Sequence, residues 1–387
     1  MERNTFAGYE RRDGVGTRNY VLVLPTVVCS SETTTAIARK IPGAVSVYNQ
    51  HGCGQVGPDL EVVTSTLIGL GRNSNVTSVL VVALGCEAVP FQRVADQIAD
   101  AGKTVELLVI QDEGGTPKTI KKGLEITRKL TRIARKEKRR KFPISELLVG
   151  IECGGSDWTS GVASNPAVGQ AVDRVVEEGG RAVFSETAEI MGAEHLLAKR
   201  TTPKEAQNLL RMVRQVEDRA RSMGVDLRGG QPSPGNMEGG ITTIEEKSLG
   251  AIHKGGTSLI RGVLEYAAQI PRESGLYFMD TPGHDIESET GMVAGGAHLV
   301  VFTTGRGSPT GYPLAPVLKV TGNSETFVKM KDNMDINVGT IIDGEENLHE
   351  AGRRIYERIV STASGKATKA ELLGQMEFGM YRLSSSF

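Results

Sequence analysis

The chain reads as an α/β protein of two units with mainly parallel sheets, the second interrupted by a long Gly-rich loop region. Three observations predict this. Short Val/Ile/Leu-rich runs recur at 21–28, 45–48, 79–84 and 147–151, without the alternation of a half-exposed sheet, as expected of parallel strands buried on both faces. Helical patterns fill the intervals between these runs. The chain's 387 residues include 47 glycines, enough for many turns, and about 150 residues per domain gives two or three domains.

Taken in order, residues 9–18 are rich in charge and glycine and read as a surface strap. A strand near 20–28 leads to a helix that Ser30 or Ser31 would cap. Strands near 44–48, 78–84 and 104–110 alternate with helices near 58–70 and 90–101. A long helix follows from Pro117, suited to a first helical turn, to about Arg140. Its basic end, 135–141, reads as a solvated helix terminus whose cations oppose the dipole. Phe142-Pro143 marks a boundary between an N-terminal Rossmann-like domain, 1–141, and a C-terminal catalytic domain, 142–387. The second unit is expected to hold a strand at 146–151, a helix near 166–179, a strand at 181–184 and a charged helix at 203–223. The stretch 224–256 reads as loop, and strands follow at 275–279 and 298–303. No internal repeat of fixed period is present.

Composition narrows the function classes. A net charge of −1 argues against a nucleic-acid-binding field, and no aromatic residues interleave the basic cluster. No apolar stretch reaches 18 residues, so no membrane span is expected. The N-terminus lacks a signal-peptide pattern, and four cysteines in such a chain are expected to be reduced. A cytoplasmic location follows as the expectation.

All four cysteines lie just past apolar runs, in Cys29, Asn49-Gln-His51-Gly-Cys53, Cys86-Glu87 and Glu152-Cys153-Gly-Gly-Ser156-Asp157. Because ligands of parallel sheets bind at strand carboxyl ends, these thiols and their neighbours are expected on one rim, forming a metal-dependent site. No Cys-x₂-Cys pair is present, which disfavours a closed structural zinc site. Mixed thiolate, imidazole and carboxylate donors suit Fe(II) or a related ion, or a cluster held by three cysteines. Glu186, in Ser-Glu-Thr, adds a carboxylate. Asp280, His284 and Asp285 form a compact acid/base set on a Pro-Gly turn. Arg306, between glycines, suits a bidentate grip on a substrate carboxylate, and Lys247 and Lys254 flank a short helix. There is no GxGxxG after the first strand and no P-loop, so nucleotide binding is unsupported.

Together these motifs resemble the altronate/galactarate dehydratase family, which includes the large subunit of sulfolactate sulfo-lyase. The carriers are Asp13-Gly-Val-Gly-Thr-Arg18-Asn19-Tyr20, His51-Gly-Cys53, Leu84-Gly-Cys86-Glu87, Glu152-Cys153-Gly-Gly-Ser156-Asp157 and Ser185-Glu186-Thr187. Ser233-Pro-Gly-Asn236, Glu246-Lys247-Ser-Leu-Gly250, Asp280-Thr-Pro-Gly283 and Phe302-Thr-Thr-Gly-Arg306-Gly307 continue the series. The resemblance implies an iron-dependent lyase that removes a group β to a carboxylate and leaves a 2-oxo acid. Fe(II) is the expected ion, with Mn(II), Mg(II) or an iron–sulfur cluster as alternatives. His51, Cys53, Cys86, Glu87 and Cys153 are the expected ligands, with Glu186 in reserve. Asp285 with His284 is the expected base pair, supported by Asp280, and Glu152, Asp157 or Lys254 is the alternative. Arg306, Ser156, Asp157 and Asn236 are expected to bind substrate. The expected substrate is a sugar acid such as altronate, and the alternative is sulfolactate with sulfite leaving. The chain lacks the small N-terminal domain of the longest family members, so a separate small subunit and an oligomeric assembly are expected. A non-enzymatic metal-binding protein is the competing class.

Overall fold

The computed structural model describes residues 4–384; the signal-peptide expectation rests partly on residues 1–3, outside that range. Residues 9–18 are no loose strap. They contribute to a hairpin of β1 (Thr5–Arg11) and β2 (Gly14–Gly16). The first lobe then alternates β3 (Tyr20–Pro25), β4 (Ala44–Ser46), β5 (Val76–Ala83) and β6 (Thr104–Val109) with helices Val28–Ala38, Gly57–Arg72, Phe91–Asp100 and Thr116–Ala134. The four strands form a parallel sheet ordered β4-β3-β5-β6. Helix Val28–Ala38 begins before Ser30 and Ser31, and both serines are buried in it rather than capping it.

The long helix ends at Ala134, short of the expected Arg140, because the chain beyond it has other partners. β7 (Arg140–Pro143) pairs antiparallel with β1 to complete a three-stranded sheet. The Arg139 guanidinium lies 4.7 Å over the Tyr9 ring and donates to the Thr17 carbonyl at 2.8 Å. The basic cluster therefore clamps the N-terminal hairpin instead of ending a solvated helix.

In the second lobe β8 (Leu148–Cys153), β9 (Arg181–Phe184), β10 (Ile260–Leu264), β11 (Gly275–Met279), β12 (Leu299–Thr304), β13 (Val317–Thr321) and β14 (Ile336–Asn337) form one parallel sheet. Its order is β10-β11-β9-β8-β12-β13-β14. The predicted α/β class with mainly parallel sheets is thus what the chain adopts, as two separate parallel sheets. Residues 224–256 are less irregular than expected: Ser233 and Thr243 accept backbone N–H bonds and start helices Pro234–Glu238 and Ile244–Ile252. Among the described residues, no helix is long and apolar enough to cross a membrane.

The two lobes share a core. One apolar cluster joins Leu22, Val79 and Val81 of the first sheet to Met279, Val300 and Phe302 of the second. Across this seam helix Gly57–Arg72 lies along helix Asp285–Ala294, and a Cβ on Gly69 would overlap the Ala294 carbonyl. Asn73 Nδ2 donates to the Val293 and Ala297 carbonyls at 2.8 and 2.9 Å, so the carboxyl ends of the two helices meet and the helices run parallel. Helices in such layers run antiparallel to their strands, so the carboxyl edges of both sheets face one side. The tail crosses that side. Gln50 Nε2 and His51 Nε2 donate to the Phe378 and Met380 carbonyls, each at 2.9 Å, and Gly379 packs against Ile286 and Glu287.

Arg18 ties the chain's two ends together. It is 8% exposed and grips Glu371 through Nε at 2.6 Å and Nη2 at 2.8 Å. Removing one partner of a buried pair strands the other charge. Arg18→Met is expected to lower stability by about 3 kcal/mol, read as a lower urea midpoint with little change in m-value.

Candidate active site

At the carboxyl edge of the seven-stranded sheet, three adjacent strands each deliver one carboxylate. Glu152 is the penultimate residue of β8, Glu186 follows β9, and Asp285 starts the helix after β11. One oxygen from each lies within 4.8 Å of the others. β8 connects toward β9 while β12 connects toward β13 on its other side, so the crevice between β8 and β12 is the topological switch point where α/β ligands bind. Gly154 N donates to the Thr303 carbonyl there at 3.0 Å. The missing side chain at Gly154 is a requirement: a Cβ would overlap the Asp285 carboxylate.

Lys254 enters this group from the turn after helix Ile244–Ile252. It is 1% exposed, with Nζ 2.5 Å from Glu186 Oε2 and 2.6 Å from Glu189 Oε2. Burial alone would lower its pKa, but Glu186 and Glu189 overcome that and raise it well above normal, so it stays an ammonium. For Glu189, burial raises the pKa but Lys254 and then Lys247 outweigh it, and the carboxylate stays ionised. Glu186 shares the same ammonium yet is pushed up, first by burial and then by Glu152 and Glu189. The two directions disagree about one ammonium, and the balance of charge resolves them: one cation cannot hold three crowded carboxylates ionised. Glu152 is raised to about 7, chiefly by burial. Its Oε2 accepts from Ser288 Oγ at 2.6 Å, while its buried Oε1 has no hydrogen-bond partner among the described residues. Glu186 sits at φ +78°, a strained backbone for a non-glycine residue of the kind found at functional sites.

The other expected site residues divide into groups. Cys153 is buried beside the cluster, its Sγ 3.0 Å from Ser156 Oγ, and burial pushes its thiol up to about 11. Asp157 is occupied locally: Oδ1 accepts from Thr159 N at 2.9 Å and Ser160 N at 3.2 Å, and Oδ2 accepts from Asn323 Nδ2 at 3.0 Å. Asn236 Nδ2 donates to the Ser156 carbonyl at 2.9 Å. Arg306 donates to the Gly235 carbonyl at 2.7 Å and to Glu238 Oε2 at 2.9 Å, so its guanidinium already meets a carboxylate of the protein. Asp280 is bonded by Thr187 Oγ1, and burial raises its pKa. His284 is largely exposed, with Nδ1 3.8 Å from Glu287 Oε1.

His51, Cys53, Cys86 and Glu87 lie on the rim of the first lobe. Glu87 Oε1 accepts from Thr26 Oγ1 at 2.6 Å and Leu84 N at 3.1 Å, and Oε2 from Gly85 N at 2.6 Å, so it organises its own loop. The Nε2–H of His51 is held by Met380, leaving the lone pair on Nδ1. The four thiols therefore do not share one rim: three edge the four-stranded sheet and Cys153 is buried in the other. Sequence reasoning passed over Glu189 and gave Glu152 only a reserve role. The Glu186-x-x-Glu189 spacing was visible, but only the docking of Lys254 across it reveals the pair.

A cavity of about 230 Å³ adjoins the cluster, lined by Ser156, Ser160, Asn165, Glu189, Glu246 and Lys247 among others. Buried carboxylates, a buried ammonium and an adjoining cavity make this group the candidate active site.

Comparison with known proteins gives the class. Residues 144–386 match the family model "D-galactarate/Altronate dehydratase, C-terminal", and residues 8–135 match "D-galactarate dehydratase/Altronate hydrolase, second domain". The chain belongs to the galactarate/altronate dehydratase family and is a lyase. It is similar to (2R)-sulfolactate sulfo-lyase subunit beta of Chromohalobacter salexigens, at 38% identity covering 100% of this chain and 99% of that one. It is also similar to galactarate dehydratase (L-threo-forming) of Escherichia coli, 35% identical over 95% of this chain and 74% of that one. Altronate dehydratase of Bacillus subtilis is 31% identical over 98% and 78%.

Gly154→Ala is expected to force Asp285 out of the group. The cost of such overpacking is about 1–3 kcal/mol, seen as a modest fall in thermal midpoint, together with a loss of turnover far larger than that fall explains.

Proposed function

We propose that the chain catalyses α,β-elimination from a 2-hydroxy acid, leaving a 2-oxo acid, with a divalent cation held by Glu152, Glu186 and Asp285. The observation that carries this reading is the meeting of three carboxylates around the unpartnered Glu152 Oε1. Oxygen donors alone suit a hard ion such as Mn(II), Mg(II) or Fe(II). When bound, such an ion supplies Lewis-acid stabilisation of charge developing on the substrate carboxylate or leaving group.

The protein groups divide the remaining work. Substrate enters the cavity beside Glu189, where Lys247 attracts its carboxylate and Ser156, Ser160 and Asn165 offer hydrogen bonds to hydroxyls. Glu189 Oε takes the C2 proton, kept ionised by its two lysine neighbours. Lys254 Nζ, already protonated, delivers a proton to the group leaving C3. The enol then tautomerises to the 2-oxo acid.

The cavity favours a sugar acid such as altronate, with water leaving. Its lining includes the hydroxyl and amide groups of Ser156, Ser160 and Asn165, and Lys254 and Arg306 are already matched by carboxylates, whereas a doubly anionic sulfonate calls for unmatched cations. A second reading, sulfite release from sulfolactate, draws support from the 38% identity spanning nearly all of both chains. That relative's designation as a beta subunit supports a separate small partner subunit here. The cytoplasm is the compartment that fits reduced thiols.

Under anaerobic conditions with Fe(II) or Mn(II), with and without a candidate small subunit, 2-oxo acid is expected from altronate or galactarate without sulfite. Stoichiometric sulfite from 3-sulfolactate would install the second reading, and tight metal binding with no product from any of the three acids would remove both. Glu189→Gln is expected to lower kcat by 10²-fold or more, on the order of a lost general base, with metal content unchanged. Glu186→Gln is expected to weaken Mn(II) retention at least tenfold in equilibrium dialysis; unchanged retention would place the ion elsewhere.

A further inference from the structure

Three of the four cysteines are exposed, Cys29, Cys53 and Cys86, although free cysteine is among the most buried residue types. They are not scattered. Cys29 follows β3, Cys53 follows β4 and Cys86 follows β5, three neighbouring strands ordered β4-β3-β5. All three therefore stand at one carboxyl edge.

Their loops are fastened to each other by main-chain hydrogen bonds. Val28 N donates to the His51 carbonyl at 2.8 Å, and Ala88 N donates to the Gly52 carbonyl at 3.0 Å. Thr26 Oγ1 bonds to Glu87 at 2.6 Å. The segment after β4 thus crosses the end of β3 and reaches the loop after β5. Gly52 at φ +105° and Gly85 at φ +123° make the turns that present Cys53 and Cys86, and a Cβ on Gly52 would overlap the Thr26 carbonyl. Cys29 occupies the first turn of helix Val28–Ala38.

We propose that Cys29, Cys53 and Cys86 hold an iron–sulfur cluster through three thiolates, leaving one iron without a protein ligand. Donor chemistry and spacing select this over a single ion. The oxygens of Glu87 are engaged within its loop, and the weak donor Gln111 Nε2 lies 3.5 Å from Cys86 Sγ. Thiolates on one tetrahedral ion, with metal–sulfur bonds of about 2.3 Å, stand about 4 Å apart. Among the described residues, no three His, Cys, Asp or Glu ligand atoms on this rim lie within 4.8 Å of one another. A cluster bridged by inorganic sulfide spreads its thiolates more widely. Each thiol loses its proton as its sulfur bonds to iron, and iron and sulfide come from the medium or a donor protein.

The rim faces the side on which the carboxylate group sits, since the tail that bonds His51 also packs on Ile286 and Glu287. Binding of the cluster does not depend on the elimination proposed above.

The test is anaerobic reconstitution of the full chain with Fe(II) and sulfide, followed by iron and acid-labile sulfide analysis and by EPR of the reduced protein. The expected result is about three to four irons with matching sulfide per chain, lost in Cys29→Ser, Cys53→Ser and Cys86→Ser and kept in Cys153→Ser, with unchanged circular dichroism. Glu186→Gln should keep the cluster, which separates this site from the carboxylate site. No labile sulfide in the wild-type chain, or full sulfide in any one of the three rim variants, would overturn the proposal. If a rim variant fails to fold, alkylation protection decides: Cys29, Cys53 and Cys86 should become resistant to iodoacetamide on reconstitution, and continued labelling would overturn it.

Discussion

The structure depends on holding too much negative charge in too little water. Glu152, Glu186 and Glu189 are each at most 5% exposed, and Asp285 closes against them. Buried ions pay a desolvation penalty of several kcal/mol each unless paired, and one ammonium, Lys254, faces all four. The protein meets this in two ways. Lys254 keeps Glu189 ionised, and burial and mutual repulsion push Glu152 and Glu186 toward their protonated forms. The cation proposed for this group would replace protons and relieve repulsion at once.

Much of the architecture serves that pocket. Three neighbouring strands bring the carboxylates to one edge, and Gly154 leaves room for Asp285 where any side chain would displace it. The strained φ of Glu186 aims its carboxylate at Lys254. The Glu186 and Asp280 loops are joined by a bond from Glu186 N to Thr281 Oγ1 at 2.9 Å. Ser185 Oγ and Thr281 Oγ1 both hydrogen-bond Ser288 Oγ, which donates to Glu152 Oε2. These contacts restrain the carboxylates before any ligand arrives, which is what a site of fixed geometry requires.

The lobes are not independent modules strung together. The N-terminal hairpin pairs with β7, the tail crosses the first lobe, and Arg18 holds Glu371. Asn75 donates to the His298 and Leu314 carbonyls, each at 2.8 Å, satisfying backbone groups of the second lobe from the first. The thiol rim and the carboxylate group are kept on one side by these links.

The sequence by itself determined the class and most elements. Strands such as Val76–Ala83 and Gly275–Met279 are legible because each is a continuous apolar run with helical periodicity on either side. Tertiary structure decided what local pattern cannot express. The basic stretch 135–141 looks like a helix end until β1 is available to pair with it. Glu186 looks like an isolated loop carboxylate until Lys254 docks against it and Glu189 together. Motif proximity placed the metal beside cysteines, yet strand order sends Cys153 into one sheet and the other three thiols to another. Partners far apart in sequence are chosen by strand order and by the need to pair buried charge, and neither is written in any short stretch of chain.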